Sequence, residues 1–387
     1  MLQTNPNLNQ LIMSLVINEI RSISPSKYHK FTQCQLTELW SLSKNKSLIP
    51  TNADALLGTI IHNIYERFCI DSELQMNRFE EVWYEIETDI LGKQVFNNQP
   101  DIERYKPLNI TSKYYSPKKF NTKIAVEKII SARGNDPLGK SITEQGLNSI
   151  SGRIYGKIDL LIKNKQTNEV TLIDYKTGSI HDEDGKIKMD YILQLKIYAA
   201  LYNQNHEKIF DGVNEWPDYL MLIDNVGNKH IIEYTHQETK NIIEEIESTI
   251  NKTNNIIQQN TINLEDHFAV TGLHCNYCNF RPACKKYLAS DDKKKDIVAV
   301  IKSIRLIKES GKWVISFEEK DTEMEIEKEI KKENSLHYYL LTDSDRNIDV
   351  KDLVGKKCIF TNIKFQQNQA YDISTRFSIF QILDIQN

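Results

Sequence analysis

No apolar run in this chain approaches the roughly 20 residues that a membrane-crossing helix needs, which excludes a helical membrane-spanning reading. A secretion signal is also missing. The short apolar stretch from Leu11 to Ile17 has no basic residue ahead of it and no small-residue cleavage site, so a cleaved leader is excluded and the cytoplasm is the expected location. Charge of one sign is scarce: the net value is −4, so any contact with nucleic acid must come from local patches. Cysteines number only six. In an intracellular chain they read as metal ligands or core residues before they read as disulfides. What is present is ordinary for a globular protein, 40% hydrophobic and 26% charged. At 387 residues the chain exceeds one average domain, and two domains are expected.

A break falls near residue 290. Before it, Ala53–Phe68 carries apolar residues at helical spacing (Leu57, Ile60, Ile61, Ile64, Tyr65, Phe68), and Thr122–Ala132 predicts a second helix. Ile150–Ile162 and Val170–Tyr175, joined by a polar turn at Asn164–Asn168, predict an antiparallel hairpin. Helical spacing returns over Tyr191–Tyr202, strands are expected at Asp218–Asp224 and His230–Tyr234, and a long helix over Gln237–Gln259. This order predicts an α/β core with a mixed sheet for residues 1–290. After the charged stretch Asp291–Asp296, the runs Ile297–Ile307, Lys312–Glu318, Leu336–Leu341, Lys357–Phe365 and Tyr371–Ile385 are β-like. Residues 291–387 therefore read as a smaller all-β domain, a barrel or sandwich that could be OB-like.

The chemistry concentrates in Gly156-Lys-Ile-Asp159 and in Asp174-Tyr-Lys176-Thr-Gly178. Asp174 and Lys176 are two apart and share one face of a strand, and the hairpin can bring Asp159 alongside. Two carboxylates at a few ångströms can hold a divalent cation that engages a phosphate and acidifies a water. Lys176 can orient that water or offset charge on the reacting phosphate. Gln194 and Tyr198, four apart, share a helix face, and His62, four residues after Gly58, is a candidate extra ligand. Singly each is weak. A D-x-K triplet usually ends a strand in solvent, a histidine among apolar helix neighbours is usually a satisfied core residue, and Gln-x-x-x-Tyr is commonplace. Their order is the signal: Gly-x-x-x-His, then Gly-x-x-Asp, then Asp-x-Lys-Thr-Gly, then Gln-x-x-x-Tyr, each on a suitable element.

That ordered set resembles the RecB-like branch of the PD-(D/E)XK nucleases over about Ser24 to Tyr287. The resemblance implies that His62, Asp159 and Asp174 bind Mg²⁺ or Mn²⁺, that Asp159, Asp174 and Lys176 are catalytic, and that Gln194 and Tyr198 support them. It also places an acidic residue at Glu144, ahead of the Gly-x-x-Asp strand. The activity implied is hydrolysis of DNA, as an exonuclease on single-stranded ends, flaps or overhangs. The setting would be repair and recombination, replication, or CRISPR- and phage-related processing, with a helicase or another DNA-processing protein as partner. The rival is a non-catalytic DNA-end-binding or scaffold subunit with the same fold, against which the intact Asp159, Asp174 and Lys176 argue.

Cys275, Cys278 and Cys284 supply three thiols within ten residues, and a C-x₂-C pair folds round one metal without strain. The fourth ligand is missing locally, and Cys34 is the candidate. Spacing leaves zinc and an iron–sulfur cluster open. The arrangement is similar to that of AddB-type and CRISPR-associated nucleases, where one cysteine before the core joins three after it around a 4Fe-4S cluster. The Ser-x-Ser and aromatic residues ahead of Cys34, and Arg281-Pro282 ahead of Cys284, fit that pattern. Gln35 stands where a proline usually follows, a departure. His274 is a lesser candidate ligand, and Cys69 and Cys358 read as core.

Two further features compete. Gly134-Asn-Asp-Pro-Leu-Gly139-Lys140-Ser141 spells a P-loop, but a P-loop needs a helix directly after it. Gly146, Asn148, Ser149, Ser151 and Gly152 are strand-and-turn material instead. Residues Tyr105–Lys123 interleave Lys106, Lys113, Lys118, Lys119 and Lys123 with four aromatics and no acid. This is how single strands are gripped, and equally a solvated loop.

Overall fold

The structure is a computed structural model. It describes residues 14–45, 47–49, 53–71, 73–96, 115–135, 141–212, 214–224, 226–259, 262–290, 296–307, 312–319, 336–341, 354–361, 364–365, 370–372 and 379–383. Tyr105–Tyr114 of the lysine-rich stretch, residues 136–140 of the P-loop-like motif and residues 291–295 lie outside these.

The first half is built on a five-stranded sheet in sequence order, β1 (Ser141–Asn148), β2 (Tyr155–Lys163), β3 (Val170–Tyr175), β4 (Tyr219–Ile223) and β5 (Lys229–Ile232). Only β3 and β4 run parallel. A parallel pair needs a crossover, here α6 (Met189–Asn205). β3 is apolar on both faces because both are covered. Leu172 joins a core with Ile197, Leu201, Ile246 and Ile250, contributed by α6 and α7 (His236–Gln259). Ile173 and Tyr175 join a second core with Ile60, Ile64, Phe68 and Trp83. That core belongs to α3 (Ala53–Ile70), α4 (Phe79–Phe96) and α5 (Tyr115–Asn135). The fold is thus α/β, a mixed sheet between helical layers. Fully burying a side chain such as Ile60 or Phe68 contributes about 1.5–3 kcal/mol, so tertiary packing holds α3 in place. The chain enters through α1 (Pro25–Gln33) and α2 (Gln35–Leu42).

The predicted strand Ile150–Ile162 is corrected. β1 ends at Asn148 and β2 starts at Tyr155. Between them Gly152 takes φ 71°, Ser149 Oγ accepts from the Ile154 N–H at 3.0 Å, and Ile150 is 87% exposed. Turn chemistry overrides the strand preference of Ile150. The Gly146 and Gly152 region is strand and turn, not helix, and the P-loop reading falls with it.

The C-terminal region is one sheet in the order β10-β11-β8-β7-β6-β9-β12. The strands are β6 (Ile297–Ile307), β7 (Lys312–Glu319), β8 (Leu336–Leu341), β9 (Lys357–Thr361), β10 (Lys364–Phe365), β11 (Ala370–Asp372) and β12 (Ile379–Leu383). β9 pairs with β12 and β10 with β11, both antiparallel, so adjoining stretches of chain occupy the two ends of this order. β8 and β11 pair in parallel. β6, β7 and β8 are consecutive neighbours, and β9 pairs with β6 on the far side from β7. Ahead of β6, Asp296 is buried against Arg281 and accepts from Tyr287 Oη at 2.8 Å. No helix among the described residues is long and apolar enough to cross a membrane.

Candidate active site

Strand register gathers the acids. Thr143 faces Leu160 and Gln145 faces Ile158, which sets Glu144 beside Asp159. Leu160 faces Ile173, so the next step sets Asp159 beside Asp174. Three carboxylates therefore stand in one row across β1, β2 and β3, at about 4.8 Å per strand. Glu144 is held at φ 49°, a left-handed conformation uncommon outside glycine, asparagine and aspartate.

Hydrogen bonds fix the row. Asp159 Oδ2 accepts from the Tyr175 backbone N–H at 2.8 Å, and His62 Nδ1 on α3 lies 3.7 Å from the same oxygen. Gln194 on α6 serves two partners. Its Nε2 donates to Asp174 Oδ1 at 2.9 Å, and its Oε1 accepts from Lys176 Nζ at 2.8 Å. Lys176 Nζ also contacts Asp174 Oδ2 at 2.6 Å and sits 4.5 Å over the Tyr191 ring. Tyr198 Oη, one turn beyond Gln194, donates to the Lys157 carbonyl at 2.6 Å.

Desolvation, then the neighbouring Asp174 charge, raises the Asp159 carboxyl well above the ordinary carboxylate range, more than the Tyr175 N–H and Lys176 offset. Desolvation lowers His62 below its ordinary value, which leaves a neutral imidazole able to ligate a metal. For Lys176 desolvation disfavours charge, but contact with Asp174 outweighs it and the ammonium is kept. Lys176 is thus the cation that neutralises Asp174 here. Among the described residues no three His, Cys, Asp or Glu side chains form a ready ligand shell. His62 and Asp159 are in reach of each other, while Asp174 is engaged by the lysine.

Both motif glycines are sites of close approach. A Cβ on Gly156 would lie 2.7 Å from Pro25 Cδ and 2.8 Å from Tyr198 Cε1, so any side chain there would push α1 and Tyr198 off β2. A Cβ on Gly58 would lie 3.0 Å from Thr177 Oγ1, the residue after Lys176.

The sequence profile of the PD-(D/E)XK nuclease superfamily matches residues 22–285, about two thirds of the chain. This chain belongs to that superfamily. Its members are nucleases that use divalent metals such as Mg²⁺. Among curated proteins none is similar enough to count as a match.

In this nuclease the thiols converge from both ends of the matched region. Thr37 Oγ1 on α2 lies 3.6 Å from Cys34 Sγ and 3.2 Å from Cys278 Sγ. Leu48 and Ile49 donate backbone N–H groups to the Asn279 carbonyl. Burial pushes the Cys278 thiol up to about 12, with Cys34 and Cys284 as contributing neighbours. Burial also raises Cys284, whose neighbours are Cys34 and Cys275. Cys34, Cys275 and Cys278 are buried, and the partly buried Cys284 lies beside them. His274 instead pairs with the Val270 carbonyl. Cys69 is only partly buried, with its Sγ 3.7 Å from the Tyr175 hydroxyl.

Sequence reading passed over Tyr191 and Thr37. An aromatic three residues before Gln194 on the same helix face was the available signal for Tyr191. Nothing local marked Thr37.

Proposed function

We propose that this nuclease hydrolyses DNA as a Mg²⁺- or Mn²⁺-dependent exonuclease acting on single-stranded ends, flaps or overhangs. The observation that carries the reading is the Asp159–Asp174 pair with Lys176 held between Asp174, Gln194 and Tyr191. His62, Asp159 and Asp174 would hold the divalent ion, which supplies a polarised phosphate and an acidified water. The chain's own residues do the rest. The Tyr175 N–H holds Asp159 in place, Gln194 aims Asp174 and Lys176 together, and the Lys176 ammonium, once released from Asp174, faces developing negative charge on the phosphate. Glu144 extends the acidic row towards the solvent edge. Asp174→Ala and Lys176→Ala should each cost at least about 10²–10³ in rate on labelled oligonucleotides, with unchanged circular dichroism. Full activity in both variants would refute the assignment. Binding without cleavage at any Mg²⁺ or Mn²⁺ concentration would favour a scaffold role.

We further propose that Cys34, Cys275, Cys278 and Cys284 bind a 4Fe-4S cluster, in preference to zinc. Support comes from the burial of Cys34, Cys275 and Cys278, from the neighbouring, partly buried Cys284, and from their places at α2's start and on the 275–284 segment. The cluster would staple the first helices to the end of the nuclease region, away from hydrolysis. Iron and sulfide near four per chain after anaerobic purification are expected. One zinc and no iron would refute the cluster.

A further inference from the structure

The row of cross-strand neighbours continues past the acids. Asp174 faces Leu222 on β4, and Leu222 faces His230 on β5. His230 therefore emerges on the Asp174 face of the sheet two strands away, about 10 Å at ~4.8 Å per strand. Its Nε2 lies 3.3 Å from Asp224 Oδ2. Asp224 is anchored by the N–H groups of Val226 at 3.0 Å and Asn228 at 2.8 Å. Although desolvation opposes it, those bonds hold the Asp224 carboxyl below its ordinary value. A fixed anion on Nε2 orients the imidazole and leaves Nδ1 for a ligand.

The exposed His181 ring stands edge-on to His230, centroids 5.7 Å apart. His181 belongs to a short finger closed by its bridge to Ile187. The finger's last residue, Lys188, donates to the Ser179 carbonyl at 2.7 Å and lies 5.7 Å over the Tyr191 ring, the same ring that carries Lys176. Lys176, Lys188, His181 and His230 thus follow one another along one edge of the site. The acids of the finger are its tip. Asp182 is spent on the N–H groups of Asp184 and Lys186, and Glu183 and Asp184 lie beyond the bridge. Packing explains none of the three side chains, since His181 is exposed and His230 and Lys188 are only partly buried.

We propose that His181, Lys188 and His230 bind a backbone phosphate of the substrate strand next to the one being cleaved. The proposal rests on the nuclease reading above, because Asp174 and Lys176 mark where the scissile phosphate lies. It makes the finger and the β4–β5 turn a subsite that sets how the strand is threaded.

The test separates the two readings. Binding of a fluorescent single-stranded oligonucleotide is measured with Ca²⁺ in place of Mg²⁺, for the full chain and for His181→Ala/His230→Gln. Affinity should fall about tenfold, as expected for lost hydrogen bonds to one phosphate. In cleavage assays KM should rise while kcat holds. Replacing single phosphates by neutral methylphosphonates should reveal one position, beside the cleaved bond, that weakens the parent protein about tenfold and the variant hardly at all. Lys229→Ala removes a charge from the next position of β5, which faces Ile223, and should leave that position-specific pattern intact. Unchanged affinity, or equal sensitivity at every phosphate, would overturn the subsite. Tight, position-specific binding with no cleavage by the parent protein would keep the subsite and sink the nuclease reading. Should the double variant fail to fold, His181→Ala alone carries the test, since its side chain is exposed.

Discussion

Asp159 shows what one residue of the acidic row does to stability. Its folded pKa is raised by desolvation and by Asp174. Its favourable contribution is therefore complete below the ordinary carboxylate pKa and is lost as pH rises through the raised value. Above that raised value the metal-free protein has lost this contribution. Asp159→Asn should then raise the metal-free melting temperature by about 2–4 °C, on the order of 1 kcal/mol, while lowering cleavage. The gain should shrink towards zero as pH falls to about 4. A less stable Asn variant at pH 7.5 would contradict the account. Gly156→Ala should have the opposite sign, costing about 1–3 kcal/mol through overpacking against Pro25 and Tyr198, measured by urea unfolding. The acids and Lys176 were legible because D-x-K ends an apolar strand. The reasons for Gly58 and Gly156 were not, because Thr177, Pro25 and Tyr198 come from distant segments.

Elements show a similar division. β3, α3, α6 and α7 were legible from periodicity, since each buries a continuous apolar face. β1 was only half visible: its T-E-Q-G run has little alternation, and the burial that defines it comes from β2. The 275–284 segment was legible as a cysteine cluster, but the burial of Cys275 and Cys278 was not. With thiol pKa raised by burial at Cys278 and Cys284, these cysteines in metal-free protein should react with iodoacetamide at pH 8 at least about tenfold more slowly than an ordinary thiol near pKa 8.5. Mass spectrometry of quenched samples reads this directly. Fast labelling of both in folded apoprotein would show that they are not buried together. Cys34→Ser should lose bound metal and also lower the melting temperature of the whole nuclease region.

For the whole molecule, the texture change after Ser290 set the expected boundary, yet Asp296 reaches back to Arg281 and Tyr287. A charge run in sequence reads as a linker, and only the fold reveals that its last residue is buried. A chain ending at Ser290 would leave Arg281 without this carboxylate partner, at about 3–5 kcal/mol. It should be markedly less stable than a chain ending at Val298, which keeps Asp296. Equal chemical stability of the two would place the ion pair outside the nuclease core. The OB-like reading of residues 291–387 predicts oligonucleotide binding by this region. Its removal beyond Val298 should then flatten the salt dependence of DNA affinity, and an unchanged slope would assign it to protein docking instead.

The contact between the first helices and the far end of the nuclease region has a consequence for synthesis. Thr37 and Cys278 are 241 residues apart, and the Ile20 N–H donates to Asn254 across 234. At about 5–20 residues per second, α1 and α2 leave the ribosome on the order of 10–50 s before the last of their partners exists. During that interval Tyr28, Phe31, Leu36, Leu39 and Trp40, all buried in the finished protein, lack part of their partner surface, and Cys34 waits with them. The nascent amino-terminal segment is therefore the part of this nuclease most dependent on being shielded as it is made. Slowing translation between codons 50 and 280 should lower soluble yield more than slowing it after codon 300.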